Sequence, residues 1–517
     1  MHRFILKNLT DLKGEKIMNF DQESLGVRIS MPIIRREVNS DICEDYTLPD
    51  YYPEIRKLLF ARPSPLLPAK FVSGGRVDVN GVIDYTLVYV SADGKLCSAP
   101  LSAEYSFALP IENMSDFELG EGLDVVAHTI CESTSVRVSA PRKLQLRSHL
   151  RSSLSVWGKM LCAEKSTGGE DGVCVERLRA RGECGEIFCE SSDVISLEDS
   201  FDIAPEERIA LADGIVTLKD LHRSDDIFDV SGEILIKMLL TDDSTNEQKS
   251  ILRRLPFEAQ IELDGIDLPS ASKPRACGYL TDLAINVEEG RARISADALL
   301  EICTCYNREL EYTADAYSIS ADSECAFREL RLPVVDSNSN SSLSICERIS
   351  LEELAYPEGA HPIEAFASAS VDSLMLEDGK YILRGNCRYN VISMRDGEYM
   401  GSEFTVPFRY EQDAGEGNSE LSFDATASVK DVKVKAESDA LCFECELMLG
   451  LSVFGERKIR MLESIEIYPD SARKSGEIIV CYPTDEDTRW SVAKRYAVLQ
   501  DEIFGDVLED DYVIIET

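Results

Sequence analysis

The clearest regularity along the chain is an alternation of apolar and polar positions around a glycine, and it occurs three times. The three glycines are Gly81, Gly232 and Gly385. Apolar residues stand two positions before each glycine and two, four and six positions after it. They are Val79, Ile83, Tyr85 and Leu87; Val230, Ile234, Ile236 and Met238; and Leu383, Cys387, Tyr389 and Val391. A period of two is typical of a strand with one buried face, so each glycine marks a predicted β-strand.

Each predicted strand is followed by a turn signal and a second strand. The turns are predicted at residues 93–94, 242–243 and 396–397, and the second strands contain Phe107, Phe257 and Phe408. Another strand pair follows in each copy, at 125–138 and 144–150, at 280–287 and 292–302, and at 425–434 and 441–449. The pattern therefore predicts an all-β repeat of roughly 140 residues, consistent with a sandwich.

These repeats define a domain organisation. We expect an N-terminal extension at 1–20, β domains at 21–165, 180–322 and 323–470, and a small C-terminal module at 475–517. A breaker-rich stretch at 166–172 separates the first two domains. The Ser- and Asn-rich stretch at 336–342 predicts a surface loop near the start of the third domain, and Met18 offers an alternative start.

The last forty residues follow a different pattern. A short apolar run at 478–482 predicts a strand, and apolar residues at helical spacing predict a helix through 488–496 with Thr484 or Asp485 as its N-cap. A second short helix is expected at 500–504 and a closing strand at 512–515. The fold class is therefore mainly β, with three tandem sandwich-like repeats and one βααβ module.

The helix of this module resembles the first helix of LysM modules. The resemblance lies in residues 487–496, Asp-Thr-Arg-Trp-Ser-Val-Ala-Lys-Arg-Tyr, and it implies a binding module. The partner-binding residues it implies are Asp487, Thr488, Arg489, Trp490, Tyr496 and Phe504. LysM modules bind N-acetylated sugars through two loops, and here Glu486 replaces the usual glycine of one loop, which favours a protein partner. Trp490 fits either an exposed interface anchor or the small core of the module.

Residues 47–59, Thr-Leu-Pro-Asp-Tyr-Tyr-Pro-Glu-Ile-Arg-Lys-Leu-Leu, together with the strand around Gly81, resemble the SPOCS domain of SipL-like spore-coat proteins. Three such repeats followed by a LysM-like module are the architecture of that family, and the resemblance covers nearly the whole chain after Met18. It implies a cytoplasmic mother-cell scaffold at the forespore surface, whose module binds the spore-coat morphogenetic ATPase of the basal layer. The alternative is binding of peptidoglycan or another N-acetylglucosamine polymer through the LysM-like module.

The charge of the chain narrows the choice of partners. Lys and Arg number 54 against 94 Asp and Glu, a formal net charge of -40. Such a chain is repelled by phosphate backbones and anionic lipid surfaces, so nucleic acid and direct membrane docking are excluded as partners. We expect no membrane insertion, because no apolar run reaches the roughly 18 residues that a span needs. The 16 Cys are scattered and no signal peptide is recognisable, which favours a reducing cytoplasm.

Candidate reactive groups are few. Cys303 with Cys305, and Cys442 with Cys445, are the only close cysteine pairs, and neither provides the four ligands of a closed zinc site. We expect them to be free buried thiols. The five histidines show no paired spacing, and no nucleophile-elbow or phosphate-loop motif occurs. The sequence therefore predicts no enzyme activity, no metal and no cofactor. The alternative of a hydrolase site within one of the β domains has no sequence motif to support it.

Overall fold

The computed structural model describes residues 26–111, 123–167, 174–224, 227–245, 247–262, 268, 272–414, 422–468 and 476–516. About 80% of the chain is in strands and 2% is in helix, which confirms the prediction of a mainly-β fold. In the described ranges no helix has the length and apolar character needed to cross a membrane. The predicted extension at 1–20 lies outside the described residues.

The first unit consists of two antiparallel sheets. Its strands are β1 (Gly26–Thr47), β2 (Ile55–Pro65), β3 (Ala69–Ser73), β4 (Arg76–Ser91), β5 (Leu96–Pro110), β6 (Asp124–Ala140) and β7 (Lys143–Ala163). One sheet has the order β1-β7-β6, and in the other β4 pairs with β2, β3 and β5. Tyr85 and Leu146 come from different sheets and lie in one buried apolar cluster, so the two sheets enclose a shared core.

The second and third units repeat this arrangement. The second contains β9 (Val175–Ser191), β10 (Ile195–Asp202), β11 (Glu207–Ser224), β12 (Ile227–Asp242), β13 (Gln248–Glu262), β14 (Lys273–Glu288) and β15 (Arg291–Ser318). The third contains β16 (Asp322–Ser350), β17 (His361–Glu377), β18 (Lys380–Arg395), β19 (Glu398–Asp413), β20 (Ser422–Ala436) and β21 (Ala440–Tyr468). In each unit a three-stranded sheet, β11-β12-β13 or β17-β18-β19, faces a sheet built on β15 or β21.

The stretch at 336–342, which we expected to be a surface loop, is instead part of strand β16. Its polar side chains find partners within the fold: Asn338 accepts a hydrogen bond from Ser452, and Ser339 donates one to Gln412. A run of Ser and Asn can therefore remain in a strand, because the neighbouring strands satisfy its hydrogen-bonding groups.

The three units contact one another at a shared junction and are not separate domains joined only by linkers. Ion pairs join Arg62 to Asp213 between the first two units and Lys237 to Glu364 between the last two. Lys57 of the first unit donates a 2.8 Å hydrogen bond to the backbone carbonyl of Tyr399 in the third. One buried apolar cluster at the junction draws its members from all three units: Phe60, Val88, Val90, Leu96, Ala210, Leu211, Leu239, Phe366, Ile392 and Tyr399. A short strand, β8 (Lys165–Thr167), adds parallel pairing to β21 of the third unit.

The expectation of free thiols is wrong for Cys303. It forms a disulfide with Cys189, which lies directly opposite on the adjacent strand β9. The two residues are 114 positions apart in sequence, so spacing along the chain could not reveal the pair. Cys305 and Cys445 are free and buried, and Cys442 is free and partly buried.

The C-terminal module is a small sheet covered by one helix. Its elements are β22 (Ile478–Cys481), α1 (Arg489–Tyr496), a 3₁₀ turn (Gln500–Glu502), β23 (Ile503–Phe504) and β24 (Val513–Glu516). The sheet order is β22-β24-β23, antiparallel throughout. The N-cap of α1 is Thr488 rather than Thr484 or Asp485, because Asp487 accepts hydrogen bonds from the amide and hydroxyl of Thr484 and so forms a turn before the helix.

Candidate functional site

Asp487 organises the start of the helix. Its side chain is buried and accepts hydrogen bonds from Thr484, Ser491 and Arg495. The backbone amide of Thr484 and the guanidinium of Arg495 lower the pKa of this carboxyl to about 2. Thr488 completes the cap by accepting a hydrogen bond from the backbone amide of Ser491. Both residues therefore hold the helix in place within the module.

Arg489 fastens the helix to the opposite edge of the sheet. Its guanidinium donates hydrogen bonds to the carbonyl oxygens of Gln500 at 2.9 Å, Ile503 at 2.6 Å and Gly505 at 3.2 Å. A planar guanidinium suits this task, since its donors diverge toward several acceptors at once. Arg489, which we predicted to bind a partner, thus donates its hydrogen bonds to the backbone around β23.

Trp490 lies between the module and the second unit. It is buried, and its ring meets Tyr317 of β15 in a T-shaped arrangement with 5.0 Å between ring centroids. The indole Nε1 donates a 2.9 Å hydrogen bond to Asp315, which also forms an ion pair with Lys494. Tyr317 in turn donates a 2.7 Å hydrogen bond to the carbonyl oxygen of Val498. The helix side of the module is therefore covered by the chain itself.

The opposite side of the module is apolar, and no other part of the described chain covers it. We call it the apolar sheet face, and it comprises Ile478, Val480, Tyr482, Phe504, Tyr512 and Ile514. Val480 and Phe504 both pair with Ile514, so these three side chains form one row across the sheet. The exposed fractions run from 38% for Ile514 to 72% for Ile478 and Tyr482, and the rings of Tyr482 and Tyr512 are 6.3 Å apart.

Both faces of this sheet are apolar, which is unusual for a sheet with one side in water. The inward residues Cys481, Ile503, Val513 and Ile515 pack under the helix. The outward residues are equally apolar but have no cover among the described residues. Exposed carboxylates lie on the neighbouring segments: Glu477, Asp506, Glu509, Asp510, Asp511 and Glu516.

The six predicted binding residues therefore divide into two groups. Asp487, Thr488, Arg489 and Trp490 are engaged within the chain, and Tyr496 is partly buried beside Cys481, whose hydrogen bond raises the pKa of the phenol. Phe504 belongs to the apolar sheet face. The other members of this face were not predicted, although the unbroken apolar run at 478–482 is a signal of a strand that is apolar on both sides.

Comparison with family models, with curated proteins and with solved structures finds no match to this chain. Within the described ranges, no three His, Cys, Asp or Glu side chains are grouped so that they could hold a metal ion.

Proposed function

We propose that the chain is a non-enzymatic scaffold of endospore coat assembly, and that its C-terminal module binds the ATPase of the coat basal layer. The resemblance to SipL-like proteins supplies the cellular setting, the mother-cell side of the forespore surface, and the identity of the partner. In this proposal the three sandwich units form the body, and the module provides the specific contact.

The observation that carries the proposal is the uncovered apolar sheet face. An exposed apolar patch is costly in water, and a contiguous one on a folded protein typically marks an interaction site. Tyr482, Phe504 and Tyr512 contribute large apolar surface with few rotatable bonds, the side-chain type that dominates interface energetics.

The surroundings of the face indicate the chemistry of the partner. Carboxylates such as Glu477, Asp510 and Glu516 flank the apolar residues. A complementary partner surface has an apolar centre and a rim of Lys or Arg, which steers association and rejects acidic competitors.

The docked helix contributes pre-organisation. Trp490 and Lys494 hold the module against β15, so the apolar sheet face is presented in one orientation relative to the sandwich units. A face that is already ordered loses less entropy when it binds than a mobile one does.

The test is a binding measurement on the full chain with purified coat ATPase, by biolayer interferometry. We expect Phe504→Ser to weaken binding at least tenfold, since an interface anchor contributes roughly 2 kcal/mol or more. Phe71→Ser is the matched control, because Phe71 on β3 is 56% exposed against 53% for Phe504 and lies outside the module. Equal binding by both variants and the unaltered chain contradicts the proposed face.

The same chain is offered N-acetylglucosamine oligomers in parallel. Binding of the ATPase without binding of the sugar supports the scaffold. Binding of the sugar alone overturns the proposal and identifies a glycan-recognition protein.

A further inference from the structure

Three equivalent strands, β6, β14 and β20, bring one residue each to the junction of the three units. His128, Cys277 and Thr426 occupy the same place in successive repeats, each 149 residues after the one before. The thiol of Cys277 lies 3.5 Å from the hydroxyl of Thr426. Nε2 of His128 lies 3.7 Å from the carboxylate of Asp424, which precedes Thr426 by two residues on β20. These side chains line a cavity of about 400 Å³ whose wall includes residues of all three units.

The cavity has an apolar wall and a size that suits a small ligand. Trp157, Ile187, Met448 and Phe454 are among its lining residues. Pockets that bind small molecules typically have volumes of about 300 to 1,000 Å³ and are largely apolar with a few placed polar groups. A junction needed only for stability would be filled by apolar side chains, since interiors are close-packed.

Charged groups with an excess of cations are gathered around the cavity. Arg275 is buried and forms an ion pair with Asp424 while donating a 3.1 Å hydrogen bond to its carbonyl oxygen. Lys70 pairs with the buried Glu301 at 2.6 Å, and His128 lies between the two carboxylates, 3.9 Å from Glu301. Arg275 and Lys70 thus already neutralise the two carboxylates. A protonated His128 therefore carries a positive charge that neither carboxylate balances.

Arg35 adds a further cation at the wall. Its guanidinium carbon lies 5.4 Å from the ring centroid of Trp157 and 4.9 Å from that of Phe454. Among the described residues Arg35 forms no ion pair. The other charged lining residues are Arg36, Glu37, Arg151 and Asp424. Arg151 forms ion pairs with Glu37, Glu132 and Asp372, of which only Glu37 lines the cavity. Among the lining side chains the cationic groups therefore outnumber the carboxylates, in a chain of net charge -40.

Two buried polar atoms here, Nε2 of His128 and Oε2 of Glu301, have no hydrogen-bond partner in the described part of the chain. A buried donor or acceptor without a partner is destabilising, so such atoms often belong to sites where a ligand supplies the missing bond. His128 is one of the residues that line the cavity, and its Nε2 lies 3.7 Å from Asp424, beyond hydrogen-bond distance.

We propose that this cavity binds a small organic anion, a carboxylate with an aromatic or aliphatic body, which pairs with Arg35 and His128. The body packs between the apolar wall residues, and the carboxylate balances the surplus positive charge. Because the wall comes from all three units, the bound anion joins them and stabilises the junction.

The experiment is isothermal titration calorimetry of the full chain with 2-naphthoate and decanoate, and with neutral 2-naphthamide for comparison. We expect one saturable site per chain for at least one carboxylate, and binding of the amide at least tenfold weaker. Absence of saturation by both carboxylates up to about 5 mM, the weak limit of specific binding, overturns the proposal. Equal affinity for naphthoate and naphthamide overturns it as well.

Variants locate the site. Arg35→Gln is expected to weaken binding at least tenfold, since it removes a charge-assisted hydrogen bond to the carboxylate of the ligand. The matched control is Arg460→Gln, because Arg460 also stacks on a ring, that of Phe327 at 3.8 Å, but does not line the cavity. It should bind within twofold of the unaltered chain. Unchanged binding by Arg35→Gln, or an equal loss in Arg460→Gln, contradicts the assigned site.

Two further variants distinguish loss of the binding site from loss of folding and from binding elsewhere on the chain. If circular dichroism shows that Arg35→Gln does not fold, His128→Asn is tested in its place. We expect His128→Asn to weaken binding of the carboxylate at least tenfold as well. Phe504→Ser, on the apolar sheet face, should retain full binding. If Phe504→Ser alone abolishes binding, the probe occupies that face and the cavity proposal fails, while the proposed function stands.

Discussion

Single glycines explain the strand pattern that recurs in the three repeats. Gly81, Gly232 and Gly385 pair across the sheet with Tyr105, Phe257 and Phe408, whose rings lie over them. A Cβ atom at Gly385 would overlap the ring of Phe408 and the carbonyl oxygen of Ser370. Glycine is thus required by the close approach of a ring and a neighbouring strand, and the left-handed backbone conformation plays no part here.

We therefore expect Gly385→Ala to lower the free energy of unfolding by about 1 to 3 kcal/mol, the usual cost of overpacking. The measurement is the urea midpoint followed by circular dichroism. Gly182→Ala is the control, because a Cβ there would lie 3.4 Å from its nearest neighbour, the ring of Tyr312, which is ordinary contact. A midpoint for Gly385→Ala equal to that of Gly182→Ala would refute the packing argument.

At the scale of elements, helix α1 packs the module against the sandwich units. Trp490 and Lys494 both reach Asp315 on β15, and Tyr317 packs against Trp490. An eight-residue helix is only marginally stable alone, so this docking and the cap at Thr488 are what keep it folded.

Trp490→Ala should loosen the helix and β15 together, at a cost of about 3 kcal/mol, because it removes a buried aromatic ring from their contact. Hydrogen exchange followed by mass spectrometry should show faster exchange in both 489–496 and 312–318. Tyr482→Ala is the control: its side chain is 72% exposed, and exchange in both segments should stay unchanged. Faster exchange in the helix alone would mean that Trp490 does not connect the two elements.

At the scale of the whole molecule, His128 makes the junction sensitive to pH. Burial lowers the pKa of this imidazole, but the carboxylates of Asp424 and Glu301 outweigh the burial and raise it, against an opposing effect of Arg275. The pKa of Asp424 is held far below its usual range by Arg275 and His128 although burial acts to raise it. Two further charged neighbours are Lys70, which pairs with Glu301, and Arg35, which lines the same cavity as His128 and Asp424.

A group whose pKa is raised by folding stabilises the protein fully below its unfolded pKa, about 6.5 for histidine. That contribution is lost as the pH rises through the folded pKa. We expect the thermal midpoint to fall as the pH rises above about 6.5, and His128→Asn to flatten this dependence. His149→Asn is the control, because the exposed His149 pairs with Asp41 in water, where such pairs contribute little. The same slope in His128→Asn would exclude His128 as its source.

The candidate site could be predicted only in part. The helix at 489–496 and the strands around it follow from local patterns, and the apolar runs at 478–482 and 512–515 were visible in the sequence. The sequence did not show which side of the module stays exposed, because that depends on where Trp490 docks. That docking surface, Asp315 and Tyr317, is more than 170 residues away in the chain.

The sequence by itself determined the mainly-β character, the three hairpins centred on glycines and the helix of the C-terminal module. Each of these depends on burial at a period of two or 3.6 residues, which is a local property. The tertiary structure alone decided the disulfide of Cys189 with Cys303, the meeting of His128 with Asp424 and Glu301, and the uncovered apolar sheet face. These depend on which surfaces of distant segments pack together, and the long-range packing that selects them leaves no periodic signal in the chain.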